Sequence, residues 1–194
     1  LRSHTVLPVI GVEPAVKPAF RISKKRHVAV LATSLTANSQ RLGELIALWR
    51  EDSQVWVMSS PTLAFAIDAW PQSKADVEKT VKKLCDDMKA SAVDTLVLAC
   101  THYPLVKPLF VAELGACCDI IEPSEGVASQ LVRRLEQAYP ERLGEFCVSN
   151  GSAEIEIFST KKIEDKARLS QWVEDAAAIV CQKTIELASC NVAV

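Results

Sequence analysis

The apolar positions of this chain fall into short unbroken runs separated by longer amphipathic stretches. Residues 6–12, 27–33, 54–58, 95–99 and 119–121 are apolar runs of strand length. Such runs, without polar alternation, are expected of strands covered by helices on both faces. Between them, residues 15–21, a stretch ending near Leu48, the segment from Ser59-Ser60-Pro61 to Asp68, residues 73–90 and residues 104–114 read as helices. Val77, Val81, Leu84, Cys85 and Met88 recur at helical intervals, with Ser73 expected as N-cap. Glu122-Pro123-Ser124 opens an amphipathic helix with Val127, Leu131 and Leu135 on one side. A polar connection over 139–151, an edge strand over 155–158 and a last helix over about 164–187 complete the pattern.

Strand and helix alternate almost without exception, so the expected fold class is α/β. It is a three-layer α/β/α arrangement of parallel strands with helices on both faces. The 194 residues suffice for one large domain or two small ones.

Composition narrows the function. The chain is 49% hydrophobic and 24% charged, with a formal net charge of −2. Its cations are spread along the sequence, and no basic stripe argues for a nucleic-acid partner. No apolar run approaches a membrane span. Seven cysteines at positions 85, 100, 117, 118, 147, 181 and 190, without CxxC spacing, argue against a zinc site or a disulfide framework. They fit reduced, cytosolic thiols.

Candidate chemistry concentrates in residues 94–106, which read DTLVLACTHYPLV. A buried strand runs out at Cys100, and Pro104 suits the first turn of a helix. In open α/β sheets the carboxyl edge of the strands is where ligands bind. Cys100, Thr101 and His102 bring a thiol, a hydroxyl and an imidazole to that edge. A thiol beside a helix N-terminus or an imidazolium is usable as a base or nucleophile. As a bland alternative, a strand-end cysteine is a small packing residue. After the strand at 27–33 comes a second hydroxyl-rich turn, with Thr33, Ser34, Thr36, Asn38 and Ser39. Such residues serve equally as helix caps and as anion ligands.

The 94–106 stretch resembles the second cysteine motif of the glutamate racemases, the cofactor-independent branch of the aspartate/glutamate racemase superfamily, of pattern D-x-x-V-L-G-C-T-H-[YF]-P-L. Only Ala99 departs from it. Two further segments are similar to the family. VIGVEPAVKPA resembles the passage between its two domains, and Thr33 and Thr36 match the threonines of its A-T-x-G-T-x-x-S turn. The resemblance implies two similar α/β domains, no cofactor and no metal, and racemisation of glutamate by two cysteines acting on opposite faces of the α-carbon. Cys100 would be one of these bases, with His102 as its acid/base helper. Asp68 would stand where the family has a glutamate facing the site, and Thr33, Thr36 and Thr101 would hold the substrate carboxylate.

Leu35 falls where the family has glycine, and a positive φ there would strain a leucine. The family's first cysteine motif, C-N-T, and its D-S-G-x-G segment have no counterpart in these residues. The expectation is therefore a carboxyl-terminal part of a racemase. Residues 1–12 would be the last strand of a truncated first domain, 13–118 a complete domain carrying Cys100, and 119–194 a half returning to the first domain. Such a half-domain would leave apolar faces uncovered and leaves room for a homodimer. D-glutamate made in a bacterial cytoplasm would feed peptidoglycan. Three alternatives stay open: a related racemase acting on aspartate, a non-catalytic module binding an acidic amino acid, and a hydrolase using Cys100 and His102.

Overall fold

The computed structural model describes residues 9–142, 153–159 and 183–189. It divides into two compact units, the first ending at Arg134 and the second starting at Leu135. In the first, strands β1 (His27–Ala32), β2 (Gln54–Ser59), β3 (Thr95–Leu98) and β4 (Asp119–Ile121) form one parallel sheet in the order β2-β1-β3-β4. Val28 pairs with both Val55 and Thr95, and Thr95 pairs with Asp119. All four strands therefore end on the same edge.

Helices cover both faces. On one, α1 (Val16–Ile22) and α3 (Gln40–Trp49) pack Val16, Phe20, Leu42 and Ile46 against Val28, Val30 and Val97. Alternation along the strands turns Ala29, Leu31, Leu96 and Leu98 to the opposite face. That face belongs to α5 (Lys74–Ala90) and α6 (Lys107–Leu114), which pack on each other and bury Val77, Val81, Met88 and Phe110. Strand β3 has four fully buried residues, as its unbroken apolar run requires.

Several boundaries differ from those read in the sequence. Residues 9–12 form no strand, and residues 6–8 of that expected element lie outside the described residues. The stretch after Thr33 breaks into a four-residue α2 (Ser34–Ala37) and the longer α3, because Ser39 starts its own helix by accepting a hydrogen bond from the Leu42 N–H. Ser73 does not cap α5 with its side chain; its hydroxyl donates to the Ala66 carbonyl of α4 (Leu63–Asp68). The helix expected over 104–114 is a 3-10 turn, Tyr103–Val106, followed by α6. Pro108 has no N–H for the carbonyl of Pro104, so an α pattern cannot run through.

The domain boundary expected at residue 118 falls inside the first unit. Strand β4 pairs with β3, and α7 (Ser124–Ala138) follows it. None of the residues of α7 is buried, and Leu131 and Val132 are exposed. In the second unit, β5 (Ala153–Ser159) pairs in parallel with β6 (Lys183–Ser189). The expected strand at 155–158 is thus present. The end of the expected last helix is instead strand: Thr184-Ile185-Glu186-Leu187 alternates polar with apolar, a period of two. The rest of that expected helix lies outside the described residues.

Candidate active site

Strand order decides where a site can form. Strand β1 lies between β2 and β3, so the chain leaves β1 toward one side, and the connection from β2 returns past it to β3. The two turns at the carboxyl ends of β1 and β3 therefore diverge and leave a crevice, the place where open α/β sheets bind ligands. The first turn holds Thr33 and Thr36, the second Cys100, Thr101 and His102. Together with Glu13 they line a cleft of about 380 Å³.

In the first turn, Thr33 caps α2 by accepting a 3.4 Å hydrogen bond from the Thr36 N–H. The Thr33 hydroxyl also donates to Thr36 Oγ1 at 3.1 Å. Capping thus occupies Thr33, while Thr36 accepts that bond and keeps its own proton for a ligand. Leu35 lies inside α2, 87% exposed, and is absent from the positions with left-handed backbone. The strain expected of a leucine there does not arise.

In the second turn, Cys100 and His102 face each other. The sulfur lies 3.7 Å from His102 Nδ1, and on the far side of the ring Nε2 lies 3.2 Å from Asp68 Oδ1 at the end of α4. An imidazole bridging thiol and carboxylate can pass a proton from one side to the other. The helix terminus expected beside the thiol is only the four-residue 3-10 turn, whose Tyr103 N–H is already given to the Cys100 carbonyl. The imidazole is therefore the group within reach of the sulfur. All six residues singled out in the sequence border this region. Asp68 lines an adjoining cleft of about 410 Å³ that shares Thr33 and His102 with the first.

Two buried bonds hold the turns together. The Ala99 N–H donates to the Leu31 carbonyl at 2.8 Å, extending the ladder past β3. The fully buried Tyr103 donates its hydroxyl to the Ala32 carbonyl at 3.2 Å. Burial pushes the Tyr103 phenol well above its usual range, so it stays a donor. The sequence reading singled out neither this brace nor Glu13. A larger cavity of about 900 Å³ between α4 and α5 contains neither thiol nor imidazole.

The sheet thus sets a thiol, an imidazole and a carboxylate in line at its switch point. Comparison with known proteins narrows the class. No protein-family model matches the chain. It is 34% identical over 145 residues to the glutamate racemase of Shewanella loihica, covering 74% of this chain and 54% of that protein. It is also 37% identical over 133 residues to that of Pseudomonas aeruginosa, covering 66% and 49%. Among solved structures, glutamate racemase isoform RacE1 from Bacillus anthracis superposes with a TM-score of 0.69 at 24% identity, covering 99% of this chain and 68% of that one. Escherichia coli glutamate racemase, in complex with L-glutamate and the activator UDP-MurNAc-Ala, gives 0.64 at 21% identity, covering 97% and 68%. The chain is thus similar in sequence to the glutamate racemases and shares their fold. It spans about half the length of the curated relatives it matches.

Proposed function

We propose that the full-length protein interconverts L- and D-glutamate by proton transfer between two bases on opposite faces of the α-carbon. In one direction the Cys100 thiolate takes the α-proton, forming an S–H bond as the C–H bond breaks. An acid on the opposite face then gives a proton to the carbanion and inverts the centre. The second base is a cysteine outside the described cleft, as the family resemblance implies. His102 exchanges protons with Cys100, and Asp68 orients the ring and steadies its charged form. Thr36 and Thr101 hold the α-carboxylate, with Thr33 fixing Thr36 through their shared hydrogen bonds. A half-buried thiolate suits abstraction because it sheds little water as it reacts.

The observation that carries this reading is the contact chain from Cys100 through His102 to Asp68 at the switch-point crevice. Similarity to the glutamate racemases supports glutamate as substrate, and solved structures of similar proteins hold L-glutamate and D-glutamate. Asp68, one methylene shorter than the family's glutamate, favours testing the related aspartate reaction as well. The product would serve peptidoglycan synthesis in a bacterial cytoplasm, with a homodimer as the working form. The test is circular dichroism of all four substrates, D- and L-glutamate and D- and L-aspartate. Glutamate signals that decay to zero while aspartate signals persist would support the proposal. Decay of aspartate alone would assign the chain to the related racemase, and a flat trace for all four would leave the acidic-amino-acid-binding module.

A further inference from the structure

One carboxylate on the wall of the Cys100 cleft has no part in the chemistry above. Glu13 lies in the segment leading into α1, and Pro14 behind it restricts its backbone to extended conformations, which fixes where its side chain starts. The carboxylate is half exposed and is held from outside the cleft by Arg41 of α3, whose Nη2 lies 2.5 Å from Glu13 Oε1.

A glutamate ligand brings two carboxylates and one ammonium group. The threonine hydroxyls of the cleft suit a carboxylate, while the thiol and imidazole address the α-proton. An ammonium carries three N–H donors and no acceptor, and needs a carboxylate or carbonyl facing it. Asp68 lies in the adjoining cleft with an oxygen against His102 Nε2. Among the described lining residues of the Cys100 cleft, Glu13 is the carboxylate. We infer that Glu13 receives the α-ammonium of the amino-acid ligand, with Arg41 steadying its carboxylate. The inference rests on the glutamate reading and adds a source of selectivity. A negative wall repels dicarboxylates that lack the ammonium, and Arg41 offsets only part of that repulsion.

The test compares two ligands that differ in the ammonium alone. Affinities of D-glutamate and of glutarate for the full-length protein are measured by calorimetry, in wild type and in Glu13→Gln, which keeps the shape of this half-exposed side chain. Glutamate is expected to weaken about ten-fold or more. Glutarate is expected to bind unchanged or tighter, because a negative charge has left the wall. Loss of structure would weaken both ligands, and a bulk charge effect would tighten both; either result, or glutamate binding equal to wild type, overturns the role of Glu13. Wild-type protein that binds no glutamate would overturn the underlying reading instead, which is a distinguishable outcome.

Discussion

The two edges of the four-stranded sheet treat similar polar groups in opposite ways. At the amino edge Asp94 is buried and fully engaged. It accepts hydrogen bonds from the Ser23 hydroxyl at 2.6 Å, the Lys24 N–H at 2.8 Å and the Lys25 N–H at 2.6 Å, with the Thr95 hydroxyl at 3.4 Å. At the carboxyl edge Cys100, His102 and Asp68 are part-exposed and joined by contacts of 3.7 and 3.2 Å. A carboxylate whose lone pairs are all spoken for fixes a loop and has nothing left for a ligand. Groups that keep unsatisfied capacity and open onto a crevice destabilise the fold slightly and remain available. One edge is closed off by its own hydrogen bonds, and the other keeps polar groups open to the crevice.

The sharpest way to break this contrast is to remove one group from each edge. Cys100→Ala in the full-length protein should lower α-proton exchange by about a thousand-fold or more, since removing a reacting base removes the path itself, with little change in melting temperature. Asp94→Ala should do the reverse. It leaves Ser23 and two backbone N–H groups without their acceptor and should cost about 2–4 kcal/mol in chemical denaturation. Equal effects of both variants on both readouts would contradict the division.

The same clamp sets a pH dependence. Burial alone would push the Asp94 carboxyl up, but the bonds from Lys25, Ser23, Lys24 and Thr95 outweigh it and hold it below the usual carboxylate value. A carboxyl lowered in the folded state stabilises above its unfolded pKa of about 4, and that contribution is lost as pH falls through the folded value. Acid titration of stability should therefore show a loss below about pH 4 that Asp94→Asn removes.

Thiol reactivity sharpens the contrast further. Burial pushes the Cys85 thiol up to about 12 and the Cys118 thiol up to about 11. Both should react with iodoacetamide at pH 8 at least about ten-fold more slowly than the exposed Cys117, by peptide mass mapping. Cys100, half exposed in the cleft, should label ahead of that buried pair. The smallest effect is expected for Tyr103→Phe, which leaves the Ala32 carbonyl without its donor at about 1 kcal/mol.

Much of the scaffold was legible because periodicity reports burial directly. The run at 95–99 lies within one residue of the observed strand, and residues 119–121 match β4. Thr184–Leu187 was misread because its tail of alternating residues continued a long amphipathic stretch, where periods of two and 3.6 are hard to separate over few residues. The place of β4 in the sheet was not legible for a different reason. Sheet membership of β4 depends on pairing with β3, which no local pattern encodes.

Within the site, Cys100 and His102 were legible from the strand-end motif, but their mutual orientation was not. An i, i+2 pair at a strand end need not converge, and here it does, at 3.7 Å. The approach of Asp68 to His102 spans α4 and the turn after β3, so only the fold brings them together. Nor does any local pattern announce the cation–π contact of Lys17, which sits 3.9 Å above the Trp49 ring and links α1 to α3.

The central claim is that Cys100 is one of two bases acting on the α-carbon of glutamate. It is tested most directly by incubating D- and L-glutamate in deuterated water with full-length wild-type protein and with Cys100→Ala, and following loss of the α-proton signal by NMR. Wild-type protein should exchange the α-proton of both enantiomers, and the variant should exchange neither. Exchange that survives in Cys100→Ala, or wild-type protein that binds glutamate and leaves its α-proton in place, would contradict the account.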